Sequence, residues 1–205
     1  DHDELSDMAP RHPLIAYEML HSYVEQRRGF IQDPDTILLN VERPFAVPLD
    51  PNDPDLFYVG RLDKEIEKDG RVYIPEHKTT AYYQKNGFFR DIWVESFSPN
   101  SQVDGYLYAG HMEHGRRMKA VMIDAALVHK TIHDGFEWIP IKKSQESLDW
   151  WLWETRDQIA RIEQHRAAAN EEDGSSAFMA AFPKNTNSCF DFNRLCAMHE
   201  LCRKF

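Results

Sequence analysis

Three residues of the sequence have the types and spacing that metal-assisted hydrolysis requires. Asp63 lies in Gly60-Arg61-Leu62-Asp63, and Glu76 and Lys78 lie in Ile74-Pro75-Glu76-His77-Lys78. Residues 56–67 and 71–79 are strand-like runs joined by Lys68-Asp69-Gly70, and an Asp-Gly pair between such runs predicts a hairpin. Side chains alternate along a strand, so Glu76 and Lys78 share one side while the side chain of His77 points to the other. Pairing of the two strands lets Asp63 sit beside Glu76. Two carboxylates converging at a sheet edge make a hard-oxygen site suited to magnesium or manganese. Such an ion polarises a phosphoryl oxygen and lowers the pKa of a bound water. An ammonium alongside can orient that water or offset charge in the transition state. The set therefore suits phosphodiester cleavage. A solvated, charged hairpin is the competing reading, because Asp…Glu-x-Lys triplets are common.

The elements around this hairpin must hold it. Ile15, Met19, Leu20, Tyr23 and Val24 follow helical spacing and predict a helix over 13–27, ended by Arg27-Arg28-Gly29. Residues 37–49 read as a strand, placed near an edge by Pro44 and Pro48. Residues 82–99 are aromatic and irregular. A helix is predicted over 101–114, strands over 118–128 and 136–141, and a long amphipathic helix from Leu148 through Ile162. Glu171 to Ser176 reads as a break before the tail. The order, with no internal repeat, predicts an α/β domain with a central mixed sheet flanked by helices. The division expected is a flexible end over 1–9, a core over 10–181 and a cysteine-bearing tail over 182–205.

The motif order sharpens this expectation. Gly-x-x-Asp, a short hairpin and then Glu76-His77-Lys78-Thr79-Thr80 resembles the active site of the PD-(D/E)XK nuclease superfamily. The nearest likeness is to its RecB-like branch, which includes phage exonucleases, AddB-type nuclease domains and CRISPR-adaptation exonucleases. That branch carries Gln-x-x-x-Tyr on the next helix, and Gln102 and Tyr106 stand there, four apart and on one helix face. The resemblance implies a restriction-endonuclease-like fold and a divalent-metal-dependent deoxyribonuclease, favouring an exonuclease. It implies that Asp63, Glu76 and the backbone carbonyl of His77 ligate magnesium or manganese. Lys78 would be the catalytic lysine, Gln102 a part of the active site, and Tyr106 a residue that holds DNA or the motif helix.

The tail extends the likeness. Cys189, Cys196 and Cys202 are the only cysteines of the chain. An odd, clustered set is unlike a secreted disulfide framework. RecB-like nucleases that hold a 4Fe–4S cluster carry three cysteines after the last helix and a fourth far upstream. No cysteine occurs in residues 1–188, and no match is found for the branch's early metal-site histidine. Both gaps suggest a missing N-terminal segment. Zinc held with His199, or three free thiols, are the other readings.

Composition bounds the rest. With 205 residues, 42% apolar and 28% charged, the chain can bury one substantial core. Its net charge of −10 is unlike that of most nucleic-acid binders, although total charge says little about one face. No apolar run approaches a bilayer span and no secretory pattern opens the chain, so a cytoplasmic protein is expected, with DNA and the proteins of a repair or CRISPR-adaptation complex as partners. Lys85 and Arg90, interleaved with Tyr82, Tyr83, Phe88, Phe89 and Trp93, are candidates for touching single-stranded DNA; a loop packed over the sheet is the alternative. His111 and His114 read as exposed helix histidines rather than a zinc pair. Trp151 reads as core, with Trp150 or Trp153 partly exposed. A catalytically silent member of the same fold, binding DNA or a partner, and an iron–sulfur or zinc interaction module are the rival functions.

Overall fold

The computed structural model describes residues 12–81, 89–129, 131–169, 195–197 and 199–204. Helix α1 (Pro13–Ile31) leads into strands β1 (Thr36–Pro48), β2 (Phe57–Lys68) and β3 (Arg71–Thr80). A short helix α2 (Asp91–Glu95) and helix α3 (Ser101–His114) follow, then β4 (Met118–Leu127), β5 (Phe136–Ile141), α4 (Gln145–Ala169) and α5 (His199–Lys204). The five strands form one mixed sheet in the order β1-β2-β3-β4-β5, antiparallel except for the parallel pair β3 and β4. The expected α/β architecture, a mixed sheet flanked by helices, is the architecture observed.

Local chemistry accounts for the elements. His12 caps α1 by accepting from the Leu14 amide, and Pro13 occupies the first turn, where its missing N–H costs nothing. The helix runs beyond the expected end at Gly29 to Ile31, with the Gln32 amide bonded to the Arg28 carbonyl. Packing of the Phe30 ring against Trp138, with centroids 5.4 Å apart, favours that extra turn over the weak helix preference of glycine. Strand β1 is an edge strand, which accommodates Pro44 and Pro48, and its register shifts between Leu38 and Asn40.

The hairpin forms as the Asp-Gly pair predicts. Asp69 and Gly70 both take positive φ, 52° and 70°, the left-handed turn that matches strand twist. Its ladder is short: Lys68 pairs with Arg71, Glu67 with Val72 and Ile66 with Tyr73, and there the pairing ends. Farther from the turn β2 pairs with β1, and β3 pairs with β4. The sheet is therefore split between β2 and β3 along the stretch that carries Asp63 and Glu76.

A parallel neighbour requires a crossover, and α2 and α3 supply it. Asn100 caps α3 by accepting from the Gln102 and Val103 amides. The helix lies close to the sheet: a Cβ on Gly105 would stand 2.3 Å from the Tyr58 hydroxyl. Val103 and Leu107 of α3 join Val72, Ile74, Val121 and Ile123 in the core. The other sheet face meets α1, whose Tyr23 and Arg27 reach Asp124 of β4.

The chain divides into two compact units, one ending at Leu152 and one starting at Trp153, with α4 beginning in the first and continuing in the second. In the first unit Leu148 and Trp151 are buried, as expected for Trp151, and Trp150 is exposed. In the second, Arg161 pairs with Asp157 and Arg166 with Glu163 along a helix surface on which Trp153 and Ile162 are exposed. Among the described residues, no helix is long and apolar enough to cross a membrane.

Candidate metal centre

The split in the sheet positions the site. The β2–β3 register ends at Ile66–Tyr73, and beyond it Asp63 stays near enough to Glu76 for its charge to act on the Glu76 carboxyl. Glu76 and Lys78 face α3: the Lys78 Nζ donates to Glu76 Oε1 at 2.7 Å and to Gln102 Oε1 at 2.9 Å. Gln102 Nε2 in turn donates to the Tyr106 hydroxyl at 3.1 Å. That hydroxyl donates to the Arg61 carbonyl at 3.1 Å, an acceptor on the part of β2 that has left β3. One chain of bonds thus runs from Glu76 through Lys78, Gln102 and Tyr106 back to β2, two residues from Asp63.

The two carboxylates differ. Glu76 is buried, and its Oε2 has no hydrogen-bond partner among the described residues. Burial pushes its carboxyl above the usual glutamate range; Lys78 pulls it back, and the neighbouring Asp63 charge adds to the rise. Asp63 is half-buried, and no described residue hydrogen-bonds or ion-pairs with its carboxylate. An orphaned buried oxygen costs about 1–3 kcal/mol when nothing meets it. Together with the open carboxylate of Asp63, it makes a donor set that fits a hard divalent cation.

The raised carboxyl has a consequence for stability. A carboxyl whose folded pKa is raised contributes stability below its unfolded pKa and loses it as pH rises through the folded value. In chelator, Glu76→Gln should therefore melt higher than wild type near pH 7, with the gain shrinking toward about pH 4, near the ordinary glutamate pKa. Thermal unfolding at the two pH values measures this. A variant less stable than wild type near pH 7 would show that the burial of Glu76 is not opposed to its charge.

Other candidates fall elsewhere. The His77 side chain points to the α1 face, with Nε2 2.6 Å from Lys64 Nζ and Nδ1 3.3 Å from Asp124 Oδ2. Tyr106 is buried, and its hydroxyl is committed to Gln102 and Arg61, so its bonds hold the motif helix. Lys85 lies outside the described residues, with Tyr82, Tyr83 and Phe88. Arg90 is exposed as the residue preceding α2. Phe89 is buried and stacks on Trp93, which meets Phe97 edge-on, so this pair packs over the core. Cys189 lies outside the described residues, Cys196 is exposed, and Cys202 falls in α5, which His199 opens.

Two polar clusters were not anticipated. Glu65, fully buried on β2, accepts from Arg43 Nε at 2.5 Å and Nη2 at 2.8 Å, from Asn40 at 2.9 Å, and lies 2.9 Å from His114 Nε2. His114 is thus not the exposed helix histidine expected. Burial pushes the Glu65 carboxyl up, but the bonds from Arg43 and His114 hold it below its usual range. Glu65, Glu113 and His114 offer ligand atoms within 4.8 Å of one another and could hold a metal ion. Arg43 already bonds both carboxylates and neutralises the group from within. The second cluster surrounds Asp124, fully buried on β4, which accepts from Tyr23 and from Arg27 at 2.7 Å. A lone aspartate in the apolar run of β4 was a signal that a partner had to exist.

No protein-family model matches the chain, and no curated protein gives a significant match.

Proposed function

We propose that this chain is a metal-dependent phosphodiesterase of the PD-(D/E)XK superfamily with a restriction-endonuclease-like fold. More particularly, we read it as a RecB-like deoxyribonuclease that works from DNA ends or single strands. The observation that carries the reading is the unpartnered, buried Glu76 Oε2 on the same side as Lys78, with Asp63 close enough to raise the Glu76 carboxyl. Magnesium or manganese held by Asp63, Glu76 and the His77 carbonyl would supply Lewis acidity and an activated water. Lys78 would offset negative charge on the phosphate as it is attacked, or orient the water. Gln102 restrains Lys78, so its ammonium is held for the reaction rather than free to swing into solvent. Tyr106 fixes Gln102 and ties α3 to β2. Hydrolysis of linear double- and single-stranded DNA, with and without magnesium or manganese, tests the reading. Metal-dependent release of nucleotides supports it; DNA left intact at every metal concentration refutes it.

A further inference from the structure

The split between β2 and β3 raises the question of what sets the distance between Asp63 and Glu76, since no ladder bond spans the sheet at their level. On the α3 side the tie is indirect, through Tyr106 to the Arg61 carbonyl. On the α1 side a direct tie crosses the gap: Lys64 Nζ lies 2.6 Å from His77 Nε2. Lys64 follows Asp63 in the chain, and His77 follows Glu76. Glu76 and Lys78 face α3 and the Asp63 charge acts on the same Glu76 carboxyl, while the Lys64–His77 contact lies on the α1 side with Asp124. With the ammonium donating, Nε2 accepts and the ring proton sits on Nδ1, which faces Asp124 Oδ2 at 3.3 Å. Tyr23 packs edge-on to the same ring, and Arg27 holds Asp124 from behind. The His77 ring is therefore anchored to β4 and α1 and offers Lys64 a fixed acceptor.

We propose that Lys64 and His77 are positioning residues: their contact is a strut across the open part of the sheet that sets the spacing of the Asp63 and Glu76 carboxylates. The inference rests on the reading of that pair as a divalent-metal site. A charge-assisted bond to a ring held by the core resists drift of β2 from β3, where the backbone alone would allow it. Loss of outer groups that orient ligands lowers metal affinity by about 10–100-fold.

The test is a manganese titration of the whole protein, followed by the electron paramagnetic resonance of free Mn2+. Lys64→Met and His77→Phe should each weaken binding about tenfold. The double variant should be no weaker than the weaker single, because both remove one contact. Lys64→Arg, which keeps a donor, should bind within about threefold of wild type. Lys68→Met, on the same strand and face but inside the hairpin ladder and paired with Asp33, should bind as wild type does. Unchanged affinity in Lys64→Met, or fully additive losses in the double variant, would overturn the strut. Failure of the metal-site reading looks different: wild type itself would take up no manganese, or Glu76→Gln would take up as much as wild type.

Discussion

Lys78→Ala should lower metal-dependent DNA hydrolysis about 10²–10³-fold, and Asp63→Ala should bring it to background. The first magnitude is that of removing one preorganised donor to developing charge. Lys78 is held by Glu76 of its own strand and by Gln102 of α3, so its ammonium is fixed beside the Glu76 carboxylate. The Asp63 carboxylate makes no hydrogen bond or ion pair with any described residue, so Asp63→Ala removes the proposed metal ligand without disturbing a bond. For the same reason Asp63→Ala should melt within about 0.5 kcal/mol of wild type, as an ordinary surface substitution does. A loss of activity with retained stability separates a functional residue from a structural one. Equal hydrolysis by wild type and both variants would place the chemistry elsewhere.

The largest stability effect should come from the opposite face. Asp124→Ala removes the acceptor shared by Tyr23 and Arg27 and leaves the guanidinium of Arg27 buried without its counter-charge. Breaking a buried pair in this way costs about 3–5 kcal/mol. For a chain of this length that corresponds to a fall in melting temperature of roughly 6–20 °C. The partners place the cost in the fold itself: Tyr23 and Arg27 come from α1, and Asp124 from β4, so the triad fastens the first helix to the sheet. Arg27 also lies over the Trp138 ring, 4.5 Å from its centroid, which keeps it from turning out to solvent. Thermal or denaturant unfolding of Asp124→Ala measures the loss. A change below about 1 kcal/mol, the scale of a typical substitution, would show that Arg27 finds another partner.

The sequence made the local part of this structure legible. Asp69-Gly70 announced the hairpin, alternation put Glu76 and Lys78 together and His77 apart, and Gln102 and Tyr106 stood one helical turn apart. These are short-range consequences of strand and helix periods. What escaped depends on partners distant in the chain. Glu65 sits in Lys64-Glu65-Ile66-Glu67-Lys68, a run that reads as solvated charge, and is buried because Arg43 and His114 converge on it from other elements. Arg27 read as a residue at a helix end, and its burial follows from Asp124, 97 positions later. The end of the hairpin ladder after three pairs has no sequence mark either, because the strand pattern continues unbroken through Leu62 and Pro75. That split brings the Tyr106 hydroxyl to the Arg61 carbonyl.

In the proposed site Asp63 and Glu76 share one divalent ion. Counting bound Mn2+ per chain by equilibrium titration, for wild type, Asp63→Ala and Glu76→Gln, addresses it without DNA or catalysis. One tightly held ion in wild type, lost in each single variant, is the predicted result. An ion retained undiminished in both variants would contradict it, and would direct attention to the Glu65, Glu113 and His114 group instead.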